Sequence, residues 1–564
     1  FNIRFVEWAT KSFDVVTFDD VVSEYASGRN VFLGHNGTYD EVIVTNSRFN
    51  YSGAYGFTIN GIANKVTVTG SAFNYNGRLD SVHGEALALY SSDGTISNVL
   101  IKDSEFINTA LVGTGIAIAN IKDVTIDNVE ATGNWNGIAN WEWINKTSNV
   151  LIQNSAVNGN HTGILIGSET GKTVEDVAIN HNDLSDNTAL GVHMVRVTGW
   201  GEGVMTNVDI NRNDLSGNPT MGINTELPYE TVDGKCNWWG DASGPGPVGP
   251  GSGSNVSTDV TYAVWLFSNN LDGGNVENVD TGELFCSIQE AIDDSDTLDG
   301  HTIEVSPGTY MESPTVNKSV TLVSTGGRDV TFIELQTNTN YVHSLLITGA
   351  EVTVDGFTIV GIDSVCPELA ATNIYLNTQP DDVIIKNNRL RVGVADTNCS
   401  TYDDGFGLIT EYSDFTISGN EIHGQLDGTA ITEAQNNLIE DNTLTGTGAS
   451  AGFGIWGYLD PGLWGTGTFQ RNTITGTANA ITIYDAEDVT VTHNDLDANG
   501  RGVRVMSVVD VDFDQTTIHI NRNALTNNTT NGIDNLLDPG TFGSDYIDGT
   551  CNWWNQVSGP SGEG

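Results

Sequence analysis

The sequence predicts an all-β chain built as two tandem parallel β-helices, and three observations predict it. The segment CNWWGDASGP at Cys236 to Pro245 returns as CNWWNQVSGP at Cys551 to Pro560, 315 residues later. Shorter echoes, about 22 to 33 residues apart, fill the chain before each copy. No stretch holds a long 3.6-residue apolar period, so the echoes are not helical. A long period means tandem domains, and a short one with strand-like patterning means that each domain is a stack of coils.

The short repeat reads apolar, any, apolar, any, two small polar residues or Gly, any, apolar. It appears as Val42, Val44, Asn46, Ser47, Phe49 and again as Val66, Val68, Gly70, Ser71, Phe73. Later copies close on Phe106, Ala131, Val157, Leu184 and Leu215, and in the second half on Ile359, Leu390, Ile422, Leu444, Ile474, Leu496 and Leu525, giving seven in each half. A second run follows in many units, as in Gly115-Ile116-Ala117-Ile118, Gly163-Ile164-Leu165-Ile166 and Gly502-Val503-Arg504-Val505. Apolar residues two apart share one face of a strand, and the intervening Gly, Asn and Asp suit turns with positive φ. Units of two or three such strands are too small to bury a core alone and must stack.

One column bears on the stacking directly. Two residues before the closing apolar position stand Asn182, Asn213, Asn388, Asn420, Asn442, Asn472, Asn494 and Asn523, with Ser47, Ser71, Ser104 and Ser155 in earlier coils. Amides stacked about 4.8 Å apart can hydrogen-bond from coil to coil. The alternative is that Asn is simply frequent in turns.

The stretch Cys286 to Ser313, CSIQEAIDDSDTLDGHTIEVSPGTYMES, continuing to VNKSVTLVS, resembles the opening of the right-handed parallel β-helix repeat proteins of bacteria and archaea. That group includes pectate-lyase-like and periplasmic copper-protein-like β-helices. The resemblance covers nearly the whole chain. It implies right-handed coils, a short capping helix at Ile288 to Asp294, and a closing signature in the CNWW and SGP segments. It leaves activity open, because the fold carries lyases, epimerases, hydrolases, adhesins and structural proteins.

The expected domains are residues 1–267, an N-terminally incomplete β-helix closed by CNWW, and residues 268–564, with a capping segment over 286–313. A Gly, Pro and Ser rich connector runs from Ser243 to Ser257. The first residue is not Met, no secretory leader is seen, and the first unit has no SIQEAI segment of its own. The reading is a mature or processed piece of a longer array.

Lys plus Arg number 22 against 72 Asp plus Glu, a formal charge of −50. Such a field repels nucleic acid and anionic membrane and favours cations, so no cofactor is required and calcium is an open option. Salt adaptation and secretion explain the charge equally. No apolar run nears the roughly 20 residues of a membrane span. The expected location is extracellular or at the cell surface.

Of five cysteines, Cys366 and Cys399 fall in adjacent coils, where a bridge is geometrically reasonable. Cys236 closes the first unit and Cys286 opens the second, which makes them neighbours in a linear stack. Cys551 then awaits the opening cysteine of a following unit. The alternative is buried or free thiols, since bridges require an oxidising compartment. Nine Asn-x-Ser/Thr sequons are glycosylation candidates: Asn36, Asn50, Asn145, Asn160, Asn255, Asn317, Asn398, Asn527 and Asn528.

Catalysis on this fold needs a base near the bond and a group to neutralise a uronate. Candidates are His83 with Glu85, His193 with Arg196, and Asp403 with Asp404, the last like the paired acids of glycoside hydrolases. None is accompanied by a DPHE, GHG or RIK segment, and each pair also suits a solvated turn. Binding has more support. Trp135, Trp141 and Trp143 cluster in one region and Trp456 and Trp464 in another, and exposed indoles suit sugar rings. Trp238, Trp239, Trp553 and Trp554 recur at the unit ends and read as caps. Asp293-Asp294 and Asp403-Asp404 are acidic turns able to face calcium.

The expectation is therefore a secreted, rod-like array acting as a surface, filament or matrix protein, adhering to glycans or to copies of itself. A polysaccharide lyase, epimerase or glycoside hydrolase acting on acidic polysaccharide is the alternative.

Overall fold

The computed structural model describes the chain apart from residues 1, 6–10, 35–36, 80–83, 92–93, 110–112, 143–145, 169–170, 197–203, 227–231, 335–342, 362–371, 378–380, 392–405, 412–413, 424–426, 433–435, 447–450, 457–464, 485, 507–517, 538–546 and 556–564. It is an all-β solenoid of about 15 coils with little helix. Two compact units divide it, Phe1–Gly273 and Gly274–Gly564, whereas the sequence reading put the boundary at 267/268.

In the first unit a nine-stranded sheet runs from Ile3–Phe5 to Met221–Thr225 and an eleven-stranded sheet from Lys11–Asp19 to Val260–Thr261. Each strand pairs in parallel with its counterpart in the next coil, so like residues stack. Val31, Phe57, Leu87, Ile116, Ile138, Ile164, Val192 and Ile223 form one buried column. Val42, Val66, Val99, Val124, Val150, Val177 and Val208 form another. The third side begins with Val22–Glu24 paired to Arg48–Asn50 and continues as single bridges from Arg48 through Ala72, Glu105, Glu130, Ala156, Asp183 and Asp214 to Trp238. The closing apolar residues lie buried beside them, with Phe49, Phe73 and Phe106 stacked at 5.4 and 5.0 Å. Trp239 extends that column.

The Ser243 to Ser257 connector packs on the end of the unit as a cap. Pro245–Gly246 pairs with Gly253–Asn255. Ser254 N donates to Trp239 O at 2.7 Å, and Val256 is fully buried. Val260–Thr261 then adds to the large sheet, covering an edge that would otherwise expose unpaired N–H and C=O groups.

The second unit has sheets of twelve, nine and eight strands, parallel except at their start. There Val276–Asn278 lies antiparallel between Glu283–Phe285 and Thr302–Val305. This hairpin seals the first edge beside the helix Ile288–Asp293, within the span predicted for it. Ser287 caps the helix, its side chain accepting from Glu290 N at 3.0 Å, while Glu290 Oε2 accepts from Cys286 N at 3.1 Å. Ile288, Ala291 and Ile292 are buried. The closing column begins earlier than the sequence repeat showed, at Tyr310 and Ile333, before continuing through Ile359 and Leu390.

Across several coils of this unit Glu421 sits between two guanidiniums, 2.6 Å from Arg328 Nη2 and 2.7 Å from Arg389 Nε. Arg389 beside it, then Arg328, hold its carboxyl below the usual carboxylate range. The group is part-exposed, so its contribution is only about 1 kcal/mol. Because the folded pKa is depressed, that stability is complete above the unfolded value near 4.3 and is lost as pH falls through the folded value. The stability difference between the native chain and Glu421→Gln, measured by urea unfolding, should be largest near pH 7 and vanish in acid.

Candidate functional site

The structure turns the predicted Asn and Ser column into a hydrogen-bonded ladder. Asn442 N and Nδ2 both donate to Asn472 Oδ1, at 3.1 and 3.0 Å. Asn472 in turn donates N and Nδ2 to Asn494 Oδ1 and a second Nδ2 hydrogen to Ile439 O at 2.8 Å. Each amide thus has its two donors and its acceptor satisfied in a buried site. The ladder runs through Asn388, Asn420, Asn442, Asn472, Asn494 and Asn523 to Asn552 in the second unit, and through Ser155, Asn182 and Asn213 to Asn237 in the first. Asn237 and Asn552 belong to the CNWW segments, so that motif is the last rung of the ladder. The residues just before the rungs, such as Asn46, Asp103 and Asn154, have φ of 50 to 52°, which Asn and Asp tolerate best among residues with side chains.

A second ladder was missed by the sequence reading. Thr109 N donates to Asn134 Oδ1, Asn134 N to Asn160 Oδ1, Asn160 N to Asn187 Oδ1, and Asn187 N to Asn218 Oδ1. The signal was present: each residue stands three places after the closing apolar position, as Asn160 does after Val157.

That ladder bears on the sequons. Asn160 is fully buried, its Nδ2 donating to Ala131 O at 2.8 Å, and a transferase acting on the folded chain cannot reach it. Asn50 is also buried. Asn255 and Asn528 are half-buried with their amides bonded to Thr220 O and Leu496 O. Asn317 and Asn527 are exposed, and Asn36, Asn145 and Asn398 lie outside the described residues. Peptide mapping of chain made in a host that glycosylates folded protein should therefore find glycan on Asn317 or Asn527 and none on Asn160.

Of the catalytic candidates, His83, Asp403 and Asp404 lie outside the described residues. Glu85 lies two places before the strand Leu87–Tyr90, as Tyr55 does before Phe57 and Arg29 before Val31, and those strand starts stack in one register across three coils. The Arg29 guanidinium lies 4.5 Å from the Phe32 ring centre and 4.1 Å from that of Tyr55. Burial, and then the Glu85 charge, push the Tyr55 phenol far above its ordinary range, with a hydrogen bond to Glu85 acting in the same direction. Burial also raises Tyr90, against the pull of Arg29. Tyr55 stays protonated at any ordinary pH, so this cluster suits hydrogen bonding and cation–π contact better than proton abstraction. His193 Nε2 lies 3.1 Å from Glu226 Oε1; the side chain of Arg196, its expected partner, is outside the described set.

Trp135 is 43 % exposed and stacks flat on His161, with ring centres 3.8 Å apart. One face of the indole is thus occupied. The side chains of Trp141 and Trp456, and the whole of Trp143 and Trp464, lie outside the described residues. The sequence reading overlooked a stack of Tyr25, Tyr51 and Tyr75, with ring centres 4.9 and 5.1 Å apart and planes within 4° of parallel. Its signal was Tyr recurring two places after the closing position, as in Phe49-Asn50-Tyr51 and Phe73-Asn74-Tyr75.

Cys236 and Cys286 are disulfide-bonded, Cys551 is free and exposed, and Cys366 and Cys399 lie outside the described residues. Carboxylate oxygens of Glu283, Asp294 and Asp296 lie within 4.8 Å of one another. Asp293, beside Asp294 in the sequence, accepts from Gln289 Nε2 at 2.9 Å. No helix among the described residues is long and apolar enough to cross a membrane.

Comparison with known proteins agrees with the coil architecture over residues 344–540. A cell surface glycoprotein of Methanothermus fervidus is 28% identical over 199 residues, a stretch that is 35% of this chain and 29% of the relative. The chain therefore spans less than a third of that relative's length. A PL6 family alginate lyase, AlyGC, is similar at a TM-score of 0.30 and 10% identity, covering 96% of this chain and 97% of the other. A mutant of the same enzyme gives the same TM-score at 11% identity, with 97% and 96% covered. The family described as right handed beta helix region matches residues 344–540. Through that stretch, the chain carries a right-handed β-helix region.

Proposed function

We propose that the chain is a structural, glycan-contacting part of a cell-surface or extracellular matrix protein, built as tandem β-helix units. The carrying observation is the unbroken amide ladder from Asn388 to Asn552, in which every rung is satisfied by its neighbours and none is diverted to a catalytic group. Such a ladder specifies stiffness and register. The likeness to a cell surface glycoprotein supports the location, and a disulfide supports an oxidising compartment.

Copies of a chain of charge −50 repel one another, so self-association calls for calcium or high salt. The test combines cell fractionation, negative-stain microscopy with and without calcium, and ultraviolet assay of acidic polysaccharides for unsaturated products. A surface fraction with calcium-dependent fibres and no unsaturated product is expected. Steady turnover of a polysaccharide would replace this reading with the lyase.

A further inference from the structure

Near the end of the second unit one outer face concentrates positive charge. Ile481, Val503 and Ile533 share one register, with Ile481 and Val503 fully buried, so the residues that follow them, Thr482, Arg504 and Asp534, share the outer register. Asn479, Arg501 and Asn531 form the parallel outer column, and Tyr484 and Met506 the next one along. Asp534 Oδ1 accepts from Asn531 Nδ2 at 3.1 Å, while its Oδ2 lies 2.7 Å from Arg501 Nε and 3.6 Å from Arg504 Nε. Arg501 Nη1 donates to Asn479 Oδ1 at 3.2 Å.

Two guanidiniums therefore share one carboxylate whose side chain is only 13% exposed. Both Nε atoms are closed off from solvent, and neither aims its N–H at an acceptor among the described residues. The 2.7 Å approach is thus an ion pair by distance and not a directed hydrogen bond. Among the described residues this leaves a local excess of one positive charge, which is costly to desolvate and stands out in a chain with 22 basic and 72 acidic residues. A second anion would balance it. The planar forks of the two arginines match an oxyanion, a hydroxyl stands beside them on Thr482, and an aromatic and a thioether side chain follow.

We propose that Arg501 and Arg504 form a subsite for the anionic group of an acidic glycan, a uronate carboxylate or a sulfate ester, with the sugar ring lying toward Tyr484 and Met506. The net charge disfavours nucleic acid as the source of the anion. The proposal rests on the glycan-contacting part of the surface reading.

Calorimetry of the full chain with oligogalacturonate, sulfated dextran and neutral dextran tests it and separates the two anions. Arg504→Gln and Arg501→Gln should each weaken the anionic probe by roughly tenfold or more, the loss of one charge-assisted contact. Asp534→Asn should tighten it, since the internal competitor for the arginines is gone; a merely structural ion pair predicts no gain. Arg471→Gln, which disturbs a pairing with Glu440 and Asp441 on another sheet, should leave binding unchanged. Melting curves of each variant establish folding. Binding that survives Arg504→Gln overturns the site, and absence of binding to both anionic probes overturns the ligand class. Either failure leaves surface location and fibre formation to be judged by fractionation and microscopy.

Discussion

Asn472→Leu is expected to destabilise the second unit by roughly 3–6 kcal/mol, because it strips partners from several buried groups at once and each costs about 1–3 kcal/mol. Asn442 N and Nδ2 lose the Asn472 Oδ1 acceptor, Ile439 O loses its donor, and Asn494 Oδ1 keeps only the backbone N–H. Asn472→Asp should be as damaging, since a carboxylate can accept but cannot donate to Ile439 O, and it places a charge in a buried site. Asn472→Ser should cost only about 1 kcal/mol, the worth of an ordinary hydrogen bond. Serine already serves as a rung in the first unit, where Ser47 N donates to Ser71 Oγ and Ser71 N to Ser104 Oγ, both at 3.1 Å. Urea unfolding of the three variants checks the order. In a solenoid each coil contacts only its neighbours, so hydrogen exchange should show the loss centred on the coils of Asn442, Asn472 and Asn494 and fading away from them. Equal effects of Ser and Leu would mean that side-chain volume, not hydrogen bonding, fixes the rung.

Much of the coil was legible in the sequence because a β-helix repeats its chemistry at a fixed register. The closing residues from Phe49 to Leu215 and the first ladder occupy the places that the spacing assigned. Elements that occur once per unit escaped. The hairpin of Val276–Asn278 with Glu283–Phe285 has no repeat to reveal it, and its Asn278-Val279-Asp280-Thr281-Gly282 turn reads as linker. The Ser243 to Ser257 connector was legible as a segment, but its packing was not: a Gly-rich composition suits close backbone contact as well as it suits an open link, and Val256 is the residue that carries its burial. Coils at the unit ends were undercounted because Tyr310 and Ile333 lack an Asn or Ser rung two places before them. The outer faces were least legible. Arg501, Arg504 and Asp534 lie up to 33 residues apart, and only the parallel register makes them one surface.

The two CNWW segments make the second large prediction, since one motif stands in two environments. Trp239 is fully buried; a Cβ added at Gly222 would come within 2.9 Å of its ring, and Ser254 of the cap bonds its carbonyl. Trp554 lies against Gly532 in the same way but is only half-buried, and its neighbour Trp553 is 50% exposed. Truncating a fully buried Trp forfeits its transfer energy and leaves a cavity, so Trp239→Ala should cost about 3–5 kcal/mol. At Trp554 less area is removed from water and the site can fill with solvent, so Trp554→Ala should cost roughly half as much. Gly222→Val should approach the damage of Trp239→Ala from the opposite direction, because the ring it meets is held under the cap and cannot withdraw. Denaturant unfolding followed by tryptophan fluorescence checks all three. Equal losses at Trp239 and Trp554 would show that burial beneath the Ser243 to Ser257 cap does not set the strength of the closing motif.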